Sequence, residues 1–130
     1  MKKEWEQAIR RGDLDAMQDL IGRGESIDSK DRHGQTALMI GAMRGQTDLV
    51  AFLVERQAAL NITAKYNLTA LMLATINNHP EIVHLLCKAG ADRSIKGAGA
   101  PGFFNQTALD LAEEAGRDEI VKALGARNDC

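Results

Sequence analysis

Thr36-Ala37-Leu38-Met39 returns as Thr69-Ala70-Leu71-Met72 and again as Thr107-Ala108-Leu109-Asp110. The first two copies are 33 positions apart and the last two are 38 apart. Such self-similarity is the strongest single clue to architecture in a chain of this kind. The residues around each copy keep step. Gly45 aligns with Asn78 and Gly116, Leu49-Val50 with Ile82-Val83 and Ile120-Val121, and Leu53-Val54 with Leu86-Cys87. Counting back one period from Gly45 and Leu53 reaches Gly12 and Leu20, so residues 1–30 form a shortened first copy with Trp5 in place of Leu.

Each copy is expected to form two short helices. Thr36, Thr69 and Thr107 are placed to cap a helix N-terminus through the side-chain oxygen, and the Ala, Leu and Met that follow favour about two helical turns. Gly45, Asn78 and Gly116 stand where a left-handed residue would stop the chain. A second helix should begin near Asp48, Glu81 and Glu119, acids suited to the positive end of the helix dipole. Pro80 fits the first helical position, where its missing N–H costs nothing. This helix should stop by Gly24, Gln57 and Gly90. Its apolar residues, such as Ile82, Val83, Leu86 and Cys87, share one face. A lone helix pair cannot bury that face, but pairs stacked along an axis cover one another and make a continuous core. End copies then need a more polar outer side, which Glu6, Gln7, Asp15 and Gln18 provide in the first and Glu113, Glu114 and Lys122 in the last. Leu53, Leu71, Leu86 and Leu109 are the expected core leucines.

With its 33-residue period, the starts Thr36 to Gly41, Thr69 to Ala74 and Thr107 to Ala112, and Ala89-Gly90-Ala91-Asp92, the chain resembles the ankyrin repeat family over essentially its whole length. Departures are small. Ala stands after each Thr where the family usually has Pro, Met39, Met72 and Asp110 replace its usual His, and Gly41 replaces a small Ala. The resemblance implies an all-α ankyrin-repeat solenoid of four helix-turn-helix units with short projecting finger turns. A single domain over 1–130 would divide near 1–30, 31–63, 64–96 and 97–130, the last unit carrying a loop insertion over 96–105. The fingers would be Lys30–Gln35, Thr63–Leu68 and Ile95–Gln106.

The family uses its finger turns and the C-terminal ends of its first helices, along one concave face, to meet other proteins. Carried onto this chain, those positions are Arg10, Arg11, Arg32, His33, Gln35, Met43, Arg44, Lys65, Tyr66, Leu68, Ile76 and Asn77, with Gln106 and Glu114 in the last unit. The set is rich in Arg and Lys although the protein is nearly neutral. It suits an acidic or amphipathic protein segment, with Arg forks meeting carboxylates and Tyr66 as an aromatic anchor. The alternative for the arginines is a solvated surface on which they pair with Asp13, Asp31 or Asp48. Phe103 and Phe104, in the glycine-rich last finger, have two placements open: folded back to close the core, or presented to a partner, where aromatic anchors dominate binding energy.

Composition narrows the function classes. The 130 residues carry 16 Lys plus Arg against 18 Asp plus Glu, a formal charge of -2, which argues against gripping nucleic acid by bulk charge. Apolar residues make up 45% and aromatics only 4%, so the core should be aliphatic. A chain of this length should bury about 65–70% of its unfolded surface. No apolar run approaches the ~20 residues that span a bilayer, and the charged start has no secretory pattern. Two cysteines, Cys87 and Cys130, do not make a disulfide framework, and a reduced cytoplasmic chain is expected. Cys87 occupies a packing position, His84 one turn earlier should point away from it, His79 reads as a cap residue, and Cys130 is expected to be frayed and oxidation-prone. With no phosphate loop, paired carboxylates or dinucleotide fingerprint, catalytic residues, metals and cofactors are not expected. The reading is a monomeric, non-catalytic module for protein recognition. The runner-up is a structural subunit that self-associates or caps a larger complex.

Overall fold

The computed structural model describes residues 1–99 and 101–125. Eight short helices occupy these residues: α1 (Lys3–Arg11), α2 (Leu14–Gly22), α3 (Ala37–Arg44), α4 (Thr47–Glu55), α5 (Ala70–Ile76), α6 (Pro80–Lys88), α7 (Ala108–Ala115) and α8 (Asp118–Gly125), with no strand among them. The sequence sets their ends as expected. Thr36, Thr69 and Thr107 accept hydrogen bonds from the amides of Met39, Met72 and Asp110, and the Asp110 carboxylate accepts from the Thr107 amide to complete a capping box. Gly45 (φ 76°), Asn78 (φ 60°) and Gly116 (φ 70°) take the left-handed conformation after the first helices, and Gly24, Gln57 and Gly90 take it after the second.

No helix among the described residues exceeds nine residues, too short to persist alone in water, so packing holds the array together. Consecutive helices pair, α1 with α2 through α7 with α8. The pairs stack through α3 on α5, α5 on α7, α4 on α6 and α6 on α8, while α1 touches α3. This is an all-α repeat solenoid. One continuous aliphatic core runs through it, from Trp5 and Ile9 through Leu53, Leu71 and Leu86 to Ile120 and Leu124. Leu53, Leu71 and Leu86 are 1% exposed or less. Leu109 departs from the expectation. It is only half-buried, because it occupies the last stacking face and no further helix pair covers it among the described residues.

Polar rungs link neighbouring pairs. Gln46 Nε2 donates to the Ile9 carbonyl, His79 Nε2 to the Met43 carbonyl and Arg117 Nη2 to the Ile76 carbonyl, each at 3.2 Å. These three residues occupy equivalent places, just after the left-handed residue that ends each first helix. His79 is the N-terminal cap position of α6 but caps nothing with its side chain; its ring crosses instead to the preceding pair. A second set of rungs joins the loops, Ala59 N–H to Asp28 and Asp92 N–H to Asn61.

The His79 rung explains why Gly45 is tightly constrained. A Cβ there would lie 2.6 Å from the His79 ring, and the φ of +76° already disfavours any side chain. Gly45→Ala should therefore cost about 2–3 kcal/mol, from left-handed strain plus the displaced ring. In a His79→Ala background the same change should cost only about 1 kcal/mol, because the strain alone remains. Urea unfolding of the four proteins of this cycle measures the difference; equal costs in both backgrounds would show that the ring does not constrain Gly45.

Candidate partner-binding surface

The finger turns bring the basic positions together. In the first finger the Asp31 amide donates to the Gln35 carbonyl, while the Asp31 carboxylate accepts from the amides of His33 and Gln35, each at 2.9 Å. That folds residues 31–35 into a tight loop and lifts Arg32 and His33 into solvent. In the next finger, the Ala64 amide donates to Leu68 and the Asn67 amide to Ala64, with Tyr66 and Asn67 both left-handed (φ 63° and 59°). The Lys65 ammonium lies 4.9 Å from the centre of the Tyr66 ring, a favourable cation–π arrangement.

Between α1, α3 and the first finger is an open depression of about 860 Å³, lined by Arg10, Lys30, Arg32, His33, Gln35 and Arg44 together with Ile9, Ile40 and Met43. Glu6 and Asp31 also reach it. A second depression, about 540 Å³, lies between the first and second fingers and is lined by Arg32, His33, Gln35, Lys65, Tyr66, Leu68 and Leu73. Arg32, His33 and Gln35 belong to both, so the two form one continuous surface.

Among the described residues these cations make no ion pair with a carboxylate. Ion pairs among the described residues are Arg23–Asp19 and Arg56–Glu55, both elsewhere. The pairing of these arginines with Asp13, Asp31 or Asp48 is not found: Asp13 caps α2 by accepting from the Ala16 amide, and Asp31 is engaged with its own turn. Asp92 is held below the ordinary carboxylate range by the hydroxyl and amide of Ser94, in an exposed loop outside both depressions.

Several expected site residues sit elsewhere or are drawn inward. Arg11 lies on a different surface, with Glu4, Asp13, Asp19 and Arg23, because one helical step turns it ~100° away from Arg10. Leu68 is 6% exposed and belongs mainly to the core. It immediately precedes the Thr69 cap, which draws it inward. Ile76 is half-buried and its carbonyl accepts the Arg117 rung, while exposed Asn77 donates its side-chain amide to the Leu73 carbonyl; neither lines the two depressions. The phenylalanines divide. Phe103 packs against the core edge, its ring 5.6 Å from that of Tyr66, whereas Phe104 is 69% exposed. Lys30, Ile9 and Ile40 also line the surface although they were not among the expected binding positions. Lys30 opens the expected first finger, and Ile9 and Ile40 are apolar residues at first-helix positions.

A family model described as ankyrin repeats, in three copies, matches residues 5–97. The chain belongs to the ankyrin repeat family. No curated protein matches it. Ankyrin repeats are in general protein–protein interaction modules and generally non-catalytic. His84 is exposed and Cys87 is 2% exposed in the core, so they point apart as expected. Cys130 lies outside the described residues. Among the described residues no group of three His, Cys, Asp or Glu is placed to hold a metal ion, and no helix is long and apolar enough to cross a membrane.

Proposed function

We propose that the surface running from Arg10 and Arg44 to Tyr66 binds an acidic or amphipathic segment of another protein. The supporting observation is that Arg10, Lys30, Arg32, Arg44 and Lys65 converge there without a carboxylate partner among the described residues, interleaved with Ile40, Met43 and Tyr66. Planar guanidinium groups take carboxylates through two parallel hydrogen bonds, and the apolar residues between them give the backbone of a bound segment something to lie against. The chain acts as a monomeric cytoplasmic module of four units, near 1–30, 31–63, 64–96 and 97–130, without catalysis, metal or cofactor, and its ligand is protein rather than nucleic acid or membrane.

The combined variant Arg32→Gln, Arg44→Gln, Tyr66→Ala should bind a fluorescent hexaglutamate peptide at least about 30-fold more weakly than the wild-type chain. Wild-type affinity should also fall steeply between low and physiological salt, as screening shortens the reach of exposed charges. Equal anisotropy titrations for variant and wild type would refute the assignment.

A further inference from the structure

The first basic depression holds a carboxylate that neither packing nor capping explains. Glu6, on α1, lines it and is half-buried. In the next two copies the same place is taken by Met39 and Met72, both 1% exposed. Packing therefore favours an apolar residue there, and a charge costs hydration. The last copy has Asp110, whose carboxylate closes a capping box, whereas α1 has no side-chain cap. An end copy needs polar residues on its outer side. Glu4 and Gln7 meet that need in a separate depression, with Arg11 and Arg23. Glu6, expected beside them, instead faces the space between α1, α3 and the first finger. It makes no ion pair among the described residues, even with Arg10 one helical turn away.

The two depressions also differ in their pattern of charge. The one between the fingers is lined by Arg32 and Lys65 and by no carboxylate. The first sets Arg10, Lys30, Arg32 and Arg44 against Glu6 and Asp31. Asp31 is occupied by its own turn, accepting the amides of His33 and Gln35. Glu6 is thus the carboxylate left to face a ligand. An acidic side chain laid against it is repelled, whereas a cation there completes an ion pair. The surrounding Arg and Lys then meet acids on either side of that cation.

We infer that Glu6 selects the charge pattern of the bound segment, which is acidic over the fingers and carries one Lys or Arg where it passes α1. This rests on the acidic-segment reading of the surface and narrows it to a segment of mixed charge. Glu6 contributes discrimination more than affinity, because it disfavours a uniformly acidic chain that the arginines alone would accept.

Labelled hexaglutamate peptides in which one Lys replaces each Glu in turn share composition and net charge, and differ only in where the cation stands. Anisotropy titrations should show one of them binding the wild-type chain about fivefold more tightly than the weakest of the set. Glu6→Gln should remove that preference and tighten hexaglutamate itself about threefold, by lifting the repulsion. Glu4→Gln removes the same charge from the separate depression and should change neither result. Circular dichroism checks that both variants fold. If the lysine peptides bind alike, if the preference survives Glu6→Gln, or if Glu4→Gln acts as Glu6→Gln does, the selecting role is overturned. Binding of hexaglutamate that still depends on Arg32 and Arg44 would then leave the basic surface standing. Hexaglutamate binding unchanged by Arg32→Gln with Arg44→Gln overturns the acidic-segment reading and the selection built on it. Binding of no peptide overturns both.

Discussion

Truncating Leu71 to alanine will lower the unfolding free energy by about 2–5 kcal/mol and the melting temperature by roughly 10 °C or more. The same change at Leu109 will cost only about 1 kcal/mol. The two leucines occupy the same place in successive copies, so intrinsic helix propensity and side-chain chemistry are matched and only the surroundings differ. Leu71 is 1% exposed on α5, which packs against α3, α6 and α7 at once. Removing its branched end leaves a cavity that three helices would have to shift together to fill. Leu109 is half-buried on α7, with solvent on one side, and water replaces the lost methyls without a void. Urea unfolding followed by circular dichroism measures both. Similar losses at the two positions would mean that burial within the stack does not govern stability here.

That contrast marks what the sequence could and could not convey. A period of 33 residues with Thr at helix starts and Gly or Asn at helix ends carries its information locally, and the caps at Thr36, Thr69 and Thr107 formed as those residues dictate. Gln57 could be placed by alignment alone, and it adopts the left-handed conformation of its glycine counterparts. Facing is a different matter. Arg10 and Arg11 are neighbours of identical chemistry, and only the phase of α1 against α3 separates the one lining the basic depression from the one on another surface. The fingers are harder still, because no periodicity governs them. The stack of Phe103 on Tyr66 and the bond from Ala98 to the Tyr66 carbonyl join segments of different copies, and the insertion has no counterpart elsewhere in the chain from which its path could be read. Two adjacent phenylalanines could therefore be recognised as unusual, but not divided into one that packs and one that projects.

Trp5→Ala is expected to cost about 3–5 kcal/mol, whereas Trp5→Phe should cost about 1 kcal/mol or less. Trp5 is fully buried at the start of the core, in the short first copy, where an indole fills space that leucine fills in the others. Alanine would empty that space, and α1 packs chiefly against α2 and α3 at one end of the stack, so few neighbours can move in to close it. Phenylalanine keeps most of the volume. It also removes the indole N–H, which has no hydrogen-bond partner among the described residues. A buried donor without a partner costs about 1–3 kcal/mol in lost hydration, and its deletion offsets most of the packing lost with the second ring. The denaturant slope decides how the damage spreads. An unchanged slope with a lower midpoint means that the stack melts as one unit, which is the expected result for short pairs that depend on their neighbours. A reduced slope in Trp5→Ala would instead show the first pair already open before the remainder unfolds, and would contradict cooperative coupling across the contact between α1 and α3.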